Sequence, residues 1–389
     1  MCGKKIFKKK ILMIQHAFSY GGSFQSFKIQ LQNLPKQVAE DYEIEILLNK
    51  PSKKILNEFR KFNFKINVID VEFFQNTTAF KPFNPLIILF NFFKIFLSML
   101  RLAKFFKSKK YDVVYFNSYV LAPYLFITKL MMPEVKNILH IREVKVETFL
   151  NLRNKLGKYL IKKYANKVIF LTYYDKKFWG SNGVVIYNSY SNFLDLDKKK
   201  FSYKMLFLGG FSRIKGLLSL KDSLEKTFQT YPNSKLIFVG SQEESFFKKI
   251  LGFLKIFGIE TYSQKVKNFL DENKKNIIIK KTTKSIDKLY CDADILLIPS
   301  GQNHFPRPYI EASCFGIPSI LIQNNYYMEF CTHEKDSLLS KPEDFHISIS
   351  KLFNNKTLRT KISKYAMANA NERFNVEKNV GLIWSTIIE

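Results

Sequence analysis

The sequence predicts an α/β protein built from two doubly wound, Rossmann-like domains in tandem, facing each other across a cleft. Three observations predict it. Short β-branched or aromatic apolar runs recur along the chain, each followed by a stretch long enough for a helix, as parallel strands with crossover helices require. The alternation pauses once, over the polar stretch NSYSNFLDLDKKKFSY (188–203), and then restarts. At 389 residues and 46% hydrophobic, the chain is too long for one ordinary domain and too apolar to be disordered.

In chain order, the runs at 11–14, 44–48, 113–116, 138–141, 168–171 and 184–186 supply the strands of a first domain over 1–190. After the linker, runs at 205–208, 236–239, 277–279, 295–298 and 319–322 supply a second domain over 203–372. A closing helix over 373–389 is expected to return toward the first domain. Open parallel sheets bind ligands beyond the carboxyl ends of their strands, so two such sheets face to face would form a deep cleft.

The segment PLIILFNFFKIFLSMLRLAKFF (Pro85–Phe106) has the length of a membrane span, about 20 residues. Asn91, Lys94, Ser98 and Arg101 interrupt it at spacings of three and four, which places them on one helical stripe opposite a broad apolar surface. The ordinary reading is a crossover helix covering the first sheet. The second is peripheral contact with an anionic membrane, the apolar surface rolled into the headgroups and Lys94, Arg101, Lys104, Lys107, Lys109 and Lys110 drawn to lipid phosphate.

Charge narrows the function classes only partly. Lys and Arg total 62 against 33 Asp and Glu, a net +29 that suits nucleic acid, an anionic membrane face or a phosphorylated substrate. Only eight of the 62 are arginine, so most of the excess is lysine of the kind that simply solvates a surface. No RNA- or DNA-binding motif accompanies it, and a nucleic-acid partner is not expected. Cys2, Cys291, Cys314 and Cys331 form no C-x-x-C pair and the histidines no ligand spacing, which argues against a disulfide scaffold or a zinc site. The opening MCGKKIFKKK leads straight into ILMIQ, a strand and not the apolar core of a signal peptide, so a cytoplasmic protein is expected.

Three loops carry candidate chemistry. In HAFSYGGSFQSF (16–27), Gly21 and Gly22 permit close backbone approach and Ser23 is a candidate N-cap, so a helix N-terminus would offer free N–H groups to an anion. The turn MLFLGGFSRIKG places Gly210, Arg213 and Lys215 at a strand's carboxyl end, where two cations would neutralise a diphosphate. In ADILLIPSGQNHFPRPYIEASCFGIPSILIQ (293–323) a buried strand ends at Pro299 and Ser300. A loop with Asn303, His304, Phe305 and Pro306 follows, then a short helix carrying Glu311, whose carboxylate could accept hydrogen bonds from sugar hydroxyls.

At these residues the sequence resembles the glycosyltransferases of the two-domain GT-B fold, specifically family 4, over most of its length. The family's Gly-Gly loop is similar to Gly21-Gly22, the strand closing its first domain to VVIYNS with Asn188, its phosphate loop to GGFSRIKG, and a later strand to LIFVGSQEE. The most specific match is LYCDADILLIPS followed by FPRPYIEASCFGIPSI. The resemblance implies retaining transfer of a sugar from a nucleotide-diphosphate donor to a glycan or polyprenyl-linked acceptor, in bacterial-type surface polysaccharide assembly, with no cofactor and no metal. It assigns the reacting centre to His140, Arg142 and Glu143. Donor binding falls to Gly22, Gly210, Arg213, Lys215, Asn303, His304, Phe305, Pro306 and Glu311. Acceptor choice would lie in first-domain loops such as 72–84.

Departures from the family pattern are specific. Its paired glutamates are separated by seven intervening residues; Glu311 fits the second, while the first position, eight back, is Asn303. Gly210 stands where the phosphate loop usually has arginine, with Arg213 three residues along. In ILHIRE the expected histidine is His140, but Arg142 adjoins Glu143, and residues two apart on a strand share a face. These departures also allow a GT-B chain that binds nucleotide without catalysis. The triplet Asp292-Ala293-Asp294 resembles a metal-binding D-x-D, yet it directly precedes a buried strand, so Asp294 reads as strand entry.

Overall fold

The structure, a computed structural model, describes residues 8–16, 21–73, 85–143, 152–190, 201–240, 260–281 and 286–389. Parts of the sequence motifs lie outside the described residues: 17–20 of the glycine loop, 74–84, 191–200 of the expected linker, and the last four residues of LIFVGSQEE. The chain divides into two compact units, Met1–Ser189 with Val376–Glu389, and Tyr190–Asn375.

The strands of the first unit are β1 (Lys9–Gln15), β2 (Tyr42–Leu48), β3 (Lys65–Val68), β4 (Val113–Phe116), β5 (Lys136–Ile141), β6 (Lys167–Phe170) and β7 (Val184–Val185). Among the described residues they form one parallel sheet in the order β3-β2-β1-β4-β5-β6-β7. Its helices are α1 (Gly22–Gln32), α2 (Lys36–Asp41), α3 (Lys53–Phe59), α4 (Pro85–Phe106), α5 (Tyr124–Met131), α6 (Leu152–Tyr164) and α7 (Tyr173–Trp179). Because successive side chains of a strand point to opposite faces, β1 feeds two cores. Leu12 and Ile14 pack with α4, α5 and α6 on one face; Ile11 and Met13 pack with α1 and α3 on the other.

In the second unit β8 (Lys204–Phe207), β9 (Lys235–Val239), β10 (Ile277–Lys280), β11 (Ile295–Ile298), β12 (Ser319–Ile322) and β13 (Leu338–Ser340) pair in the order β10-β9-β8-β11-β12-β13, again all parallel. The helices here are α8 (Lys221–Thr230), α9 (Tyr262–Glu272), α10 (Ile286–Asp292), α11 (Arg307–Cys314), α12 (Phe345–Asn354) and α13 (Lys356–Arg373). The last helix, α14 (Val376–Ile388), belongs to the first unit. There it buries Val380, Ile383, Trp384 and Ile387 on the α1 face of the sheet, and the Trp384 indole N–H donates to the Gln30 carbonyl at 3.1 Å.

The architecture is therefore two doubly wound parallel sheets, each with the strand order of a dinucleotide-binding fold. In such a fold the ligand crevice opens where the winding reverses, between β1 and β4 in one unit and β8 and β11 in the other. Strands β3 and β13 are additional to those read from the sequence. Both are edges, and an edge strand needs little apolar content: β3 is KINV with no buried residue, and β13 has three residues.

Candidate active site

In the second unit the chain leaves β8 through a turn that demands glycine. Gly210 has φ +52°, and a Cβ on Gly240 would lie 2.2 Å from the Gly210 Cα. The Gly210 N–H donates to the Val239 carbonyl at 3.0 Å. Backbone passes against backbone here, which is a physical reason for glycine at 210 where an arginine is usual. The chain then winds through a 3-10 turn over Arg213–Lys215, closed by Gly216 at φ +76°; a Cβ there would meet the Pro299 carbonyl at 2.3 Å. The loop after β8 thereby touches the loop after β11.

Side chains fasten these loops together. Lys215 Nζ lies 3.0 Å from His304 Nε2. An ammonium only donates, so Nε2 accepts and the imidazole proton sits on Nδ1, 3.2 Å from the Gln302 carbonyl and 3.4 Å from Ser300 Oγ. The Ser300 hydroxyl donates to the Ile214 carbonyl at 2.8 Å. Burial, reinforced by the Lys215 charge, pushes His304 down to about 4, and burial also lowers Lys215. Lys215, Ser300, His304, Pro306 and Pro308 line one concavity at the carboxyl ends of β8 and β11. The positive end of α11 and a lysine ammonium thus meet at the sheet's switch point. Arg213 is exposed and does not line it; its charge is felt at the Tyr262 hydroxyl instead.

Glu311 is not an open carboxylate. Its side chain is 9% exposed; Oε1 accepts from Arg307 Nε at 2.6 Å and Oε2 from the Tyr290 hydroxyl at 2.7 Å. The pair is an i,i+4 ion pair on the inner side of α11, and it leaves each carboxylate oxygen a further lone pair. Phe305 packs against Phe330 and Phe374 at ring-centroid distances of 4.7 and 6.0 Å, which anchors the loop that carries half-buried Asn303.

The first unit gathers a separate polar cluster at its own switch point. Helix α1 begins at Gly22, capped by extended Gly21 at φ −160°, so Ser23 lies inside the helix and is not its N-cap. The extended Gly21 already delivers its carbonyl to the Gln25 N–H, which starts the helix before Ser23. Glu143 accepts from the Ser118 hydroxyl and from the Tyr119 N–H at 2.8 Å, and His16 Nε2 stands 3.8 Å from it. Arg142 is bracketed by Asn117 and Asn188 at 2.6 and 2.8 Å. His140 reaches them through Tyr115, whose hydroxyl also lies 3.1 Å from Asn117 Oδ1. It is 1% exposed, its Nδ1 is 2.7 Å from the Tyr115 hydroxyl, and burial holds it well below the ordinary histidine range. The strand alternation turns His140 toward the core beneath α1, whereas Arg142 follows the end of β5.

Both acids of the D-x-D triplet are occupied at the opposite, amino end of the second sheet. Asp292 bridges Lys204 and Lys280 at 2.6 and 3.0 Å, and Asp294 accepts from the Ser202 and Lys204 N–H groups at 2.9 and 2.8 Å. Among the described residues no group of three or more His, Cys, Asp or Glu is arranged to hold a metal ion. Contributors not singled out from the sequence include His16, Asn117, Ser118, Tyr290 and Arg307. Arg307 was findable, being one of eight arginines and four residues before Glu311. Tyr290 was not, since only the fold brings it to α11.

Residues 192–368 match the sequence model of the family Glycosyl transferases group 1. Over that segment the chain is similar to the group 1 glycosyl transferases. No curated protein sequence matches the chain significantly. Among solved structures the chain is similar to Anabaena HepE in complex with UDP, with TM-score 0.73 and 16% identity over 97% of this chain and 99% of that one. HepE with UDP-glucose gives TM-score 0.70 at 16% identity over 97% and 99%. A glycosyltransferase from Rickettsia africae gives 0.67 at 17% over 98% and 99%. At these identities the likeness is one of fold, and the fold is that of the GT-B glycosyltransferases. The matched segment contains the whole Lys215, His304 and Glu311 constellation.

Proposed function

We propose that this chain is a retaining, family 4 glycosyltransferase that moves a sugar from a nucleotide-diphosphate donor to a glycan or polyprenyl-linked acceptor, in the assembly of surface polysaccharide. The observation that carries the reading is the concavity where Lys215, held by His304, meets the positive end of α11. Breaking the bond between the sugar's anomeric carbon and the diphosphate leaves its electron pair on the leaving group. Fixed donors in a water-poor site stabilise that charge most effectively. Lys215 and the α11 terminus supply them, and Gly209 and Gly210 let the diphosphate approach the backbone. The Arg307–Glu311 pair stands beside the sugar and ribose, Glu311 accepting from hydroxyls through its remaining lone pairs. HepE, of like fold, was crystallised with UDP and UDP-glucose, which supports a uridine donor among those to be tried first. In this reading the leaving diphosphate is neutralised by the protein's own donors without a bound metal.

The test combines binding and turnover. A panel of nucleotide sugars should raise the melting temperature of the chain for one donor, because a ligand that binds only the folded form stabilises it. Lys215→Ala should then lower transfer by on the order of 10²–10³-fold, the usual loss for one oxyanion donor, at unchanged melting temperature. Nucleotide binding with no donor hydrolysis and no transfer to any acceptor would make the chain a binding subunit instead.

A further inference from the structure

Helix α4 is mounted with its polar stripe inward. A crossover helix on a sheet ordinarily turns its apolar side to the core. Here Ile95, Leu102 and Phe106 do so, but the polar stripe is drawn inward beside them. Ser98 is fully buried; its hydroxyl accepts from the Glu72 N–H at 2.8 Å and donates to the Lys94 carbonyl at 2.9 Å. Lys94 pairs with Glu72 at 3.9 Å, and Arg101 donates to the Asp70 carbonyl at 3.2 Å with its carboxylate at 3.5 Å. With that side clamped to 70–72, the outer side is left to Leu89, Phe92, Phe93, Phe96 and Leu100, each between 47% and 68% exposed.

The apolar surface continues onto the neighbouring helices. Phe92 and Met99 of α4, Phe126 of α5, and Leu156 and Tyr159 of α6 line one groove, with Leu130 of α5 exposed as well. None of the three helices contains an Asp or Glu, while Lys104, Lys155, Lys158, Lys162 and Lys163 stand exposed on them. Exposed apolar patches of this extent mark interaction surfaces.

We infer that this face of the first unit docks on an anionic bilayer, with α4 lying in the plane of the headgroups. Three features select a lipid surface. The exposed aromatic row runs along a helix about 33 Å long at 1.5 Å per residue, a ridge suited to a plane. Lysines on three helices that carry no acid of their own match lipid phosphate, and the rings match the acyl boundary beneath. A second copy of the chain would set lysine against lysine in a protein of net charge +29. No described helix is long and apolar enough to cross a membrane, so the contact is peripheral. Of the cations that the sequence alone offers to lipid, Lys94, Arg101 and Lys109 are taken by Glu72, Asp70 and Glu45. The charge that meets phosphate therefore belongs to Lys104, Lys107 and Lys110 and to the lysines of α6.

The inference does not depend on the donor chemistry, and its test needs no turnover. The full chain is floated with vesicles of phosphatidylcholine alone and of phosphatidylcholine with phosphatidylglycerol. It should float with the anionic vesicles and at least tenfold less with the neutral ones. Phe93→Ser with Phe96→Ser, both at exposed positions, should lower anionic binding at least tenfold at unchanged melting temperature. Lys158→Glu with Lys162→Glu should weaken it and remove the preference for anionic lipid. Absence of flotation at low salt, or a double phenylalanine variant that floats like the parent, would overturn the inference. So would a dimer in solution that the phenylalanine variant dissolves, since the face would then be covered by a second copy.

Discussion

Lys215 and His304 form a couple in which one partner keeps the other in its working protonation state. A neutral imidazole accepts the lysine's proton bond; an imidazolium could not, and would repel the ammonium 3.0 Å away. Burial and that charge hold His304 at about 4, against 6.5 for a free histidine. Below pH 6.5 the unfolded chain therefore binds a proton that the folded chain refuses. Stability falls as pH drops from 6.5 toward 4, and this contribution levels off below 4. His304→Gln keeps an acceptor for Lys215 but removes the titration. The urea midpoint of the parent should thus fall more between pH 7 and pH 4.5 than that of His304→Gln. Parallel falls would show that His304 titrates normally and that the couple is loose. His16 and His140, also lowered by burial, belong to the first unit and are common to both proteins, so they cancel in the comparison.

Among the elements, the turns that follow β8 and β9 show how backbone shape precedes chemistry. Gly240→Ala would push a methyl to 2.2 Å from the Gly210 Cα, where no flexible side chain can give way. It should cost roughly 1–3 kcal/mol by overpacking, and displace the Gly209-Gly210 turn enough to weaken nucleotide binding. Gly301→Ala, in the loop after β11 with nothing within 4 Å of its Cβ, should stay within about 0.5 kcal/mol of the parent. Chemical denaturation of the two variants decides it; equal losses would mean that the contact is soft. The same elements show what a linear sequence discloses. Central strands such as ILLI and SILI are continuous apolar runs because both faces are covered, and they could be read directly. The edges β3 and β13 could not, because their pairing depends on a neighbour's register and on little of their own composition. The span of α4 was equally plain, from its proline to its final Phe-Phe. Its orientation was not, because Asp70 and Glu72, which turn its polar stripe inward, lie more than a turn of chain outside the helix. Glu311 is the counterpart at the site: its place on α11 was legible, its burial against Tyr290 and Arg307 was not.

At the scale of the whole molecule, the path of the chain makes the two units unequal. Tyr190–Asn375 is continuous, so the second unit can close on its own sequence. The first unit cannot, because α14 must return from beyond residue 375 to cover β1, β4 and β5. Trp384 is fully buried there, its indole N–H satisfied by Gln30, while Lys136 and Lys167 bond to Glu389 at 3.0 and 2.8 Å. Removing a buried tryptophan side chain typically costs about 3–5 kcal/mol, a large share of a domain's marginal stability. Trp384→Ala should therefore weaken one unit and spare the other. Hydrogen exchange should quicken in β1, β4 and β5 while β8, β9 and β11 keep their protection. The melting shift given by the nucleotide donor, which reports on the Lys215 concavity, should persist. Equal loss of protection in both sheets would instead mean that the units unfold as one cooperative body, with α14 holding the entire chain.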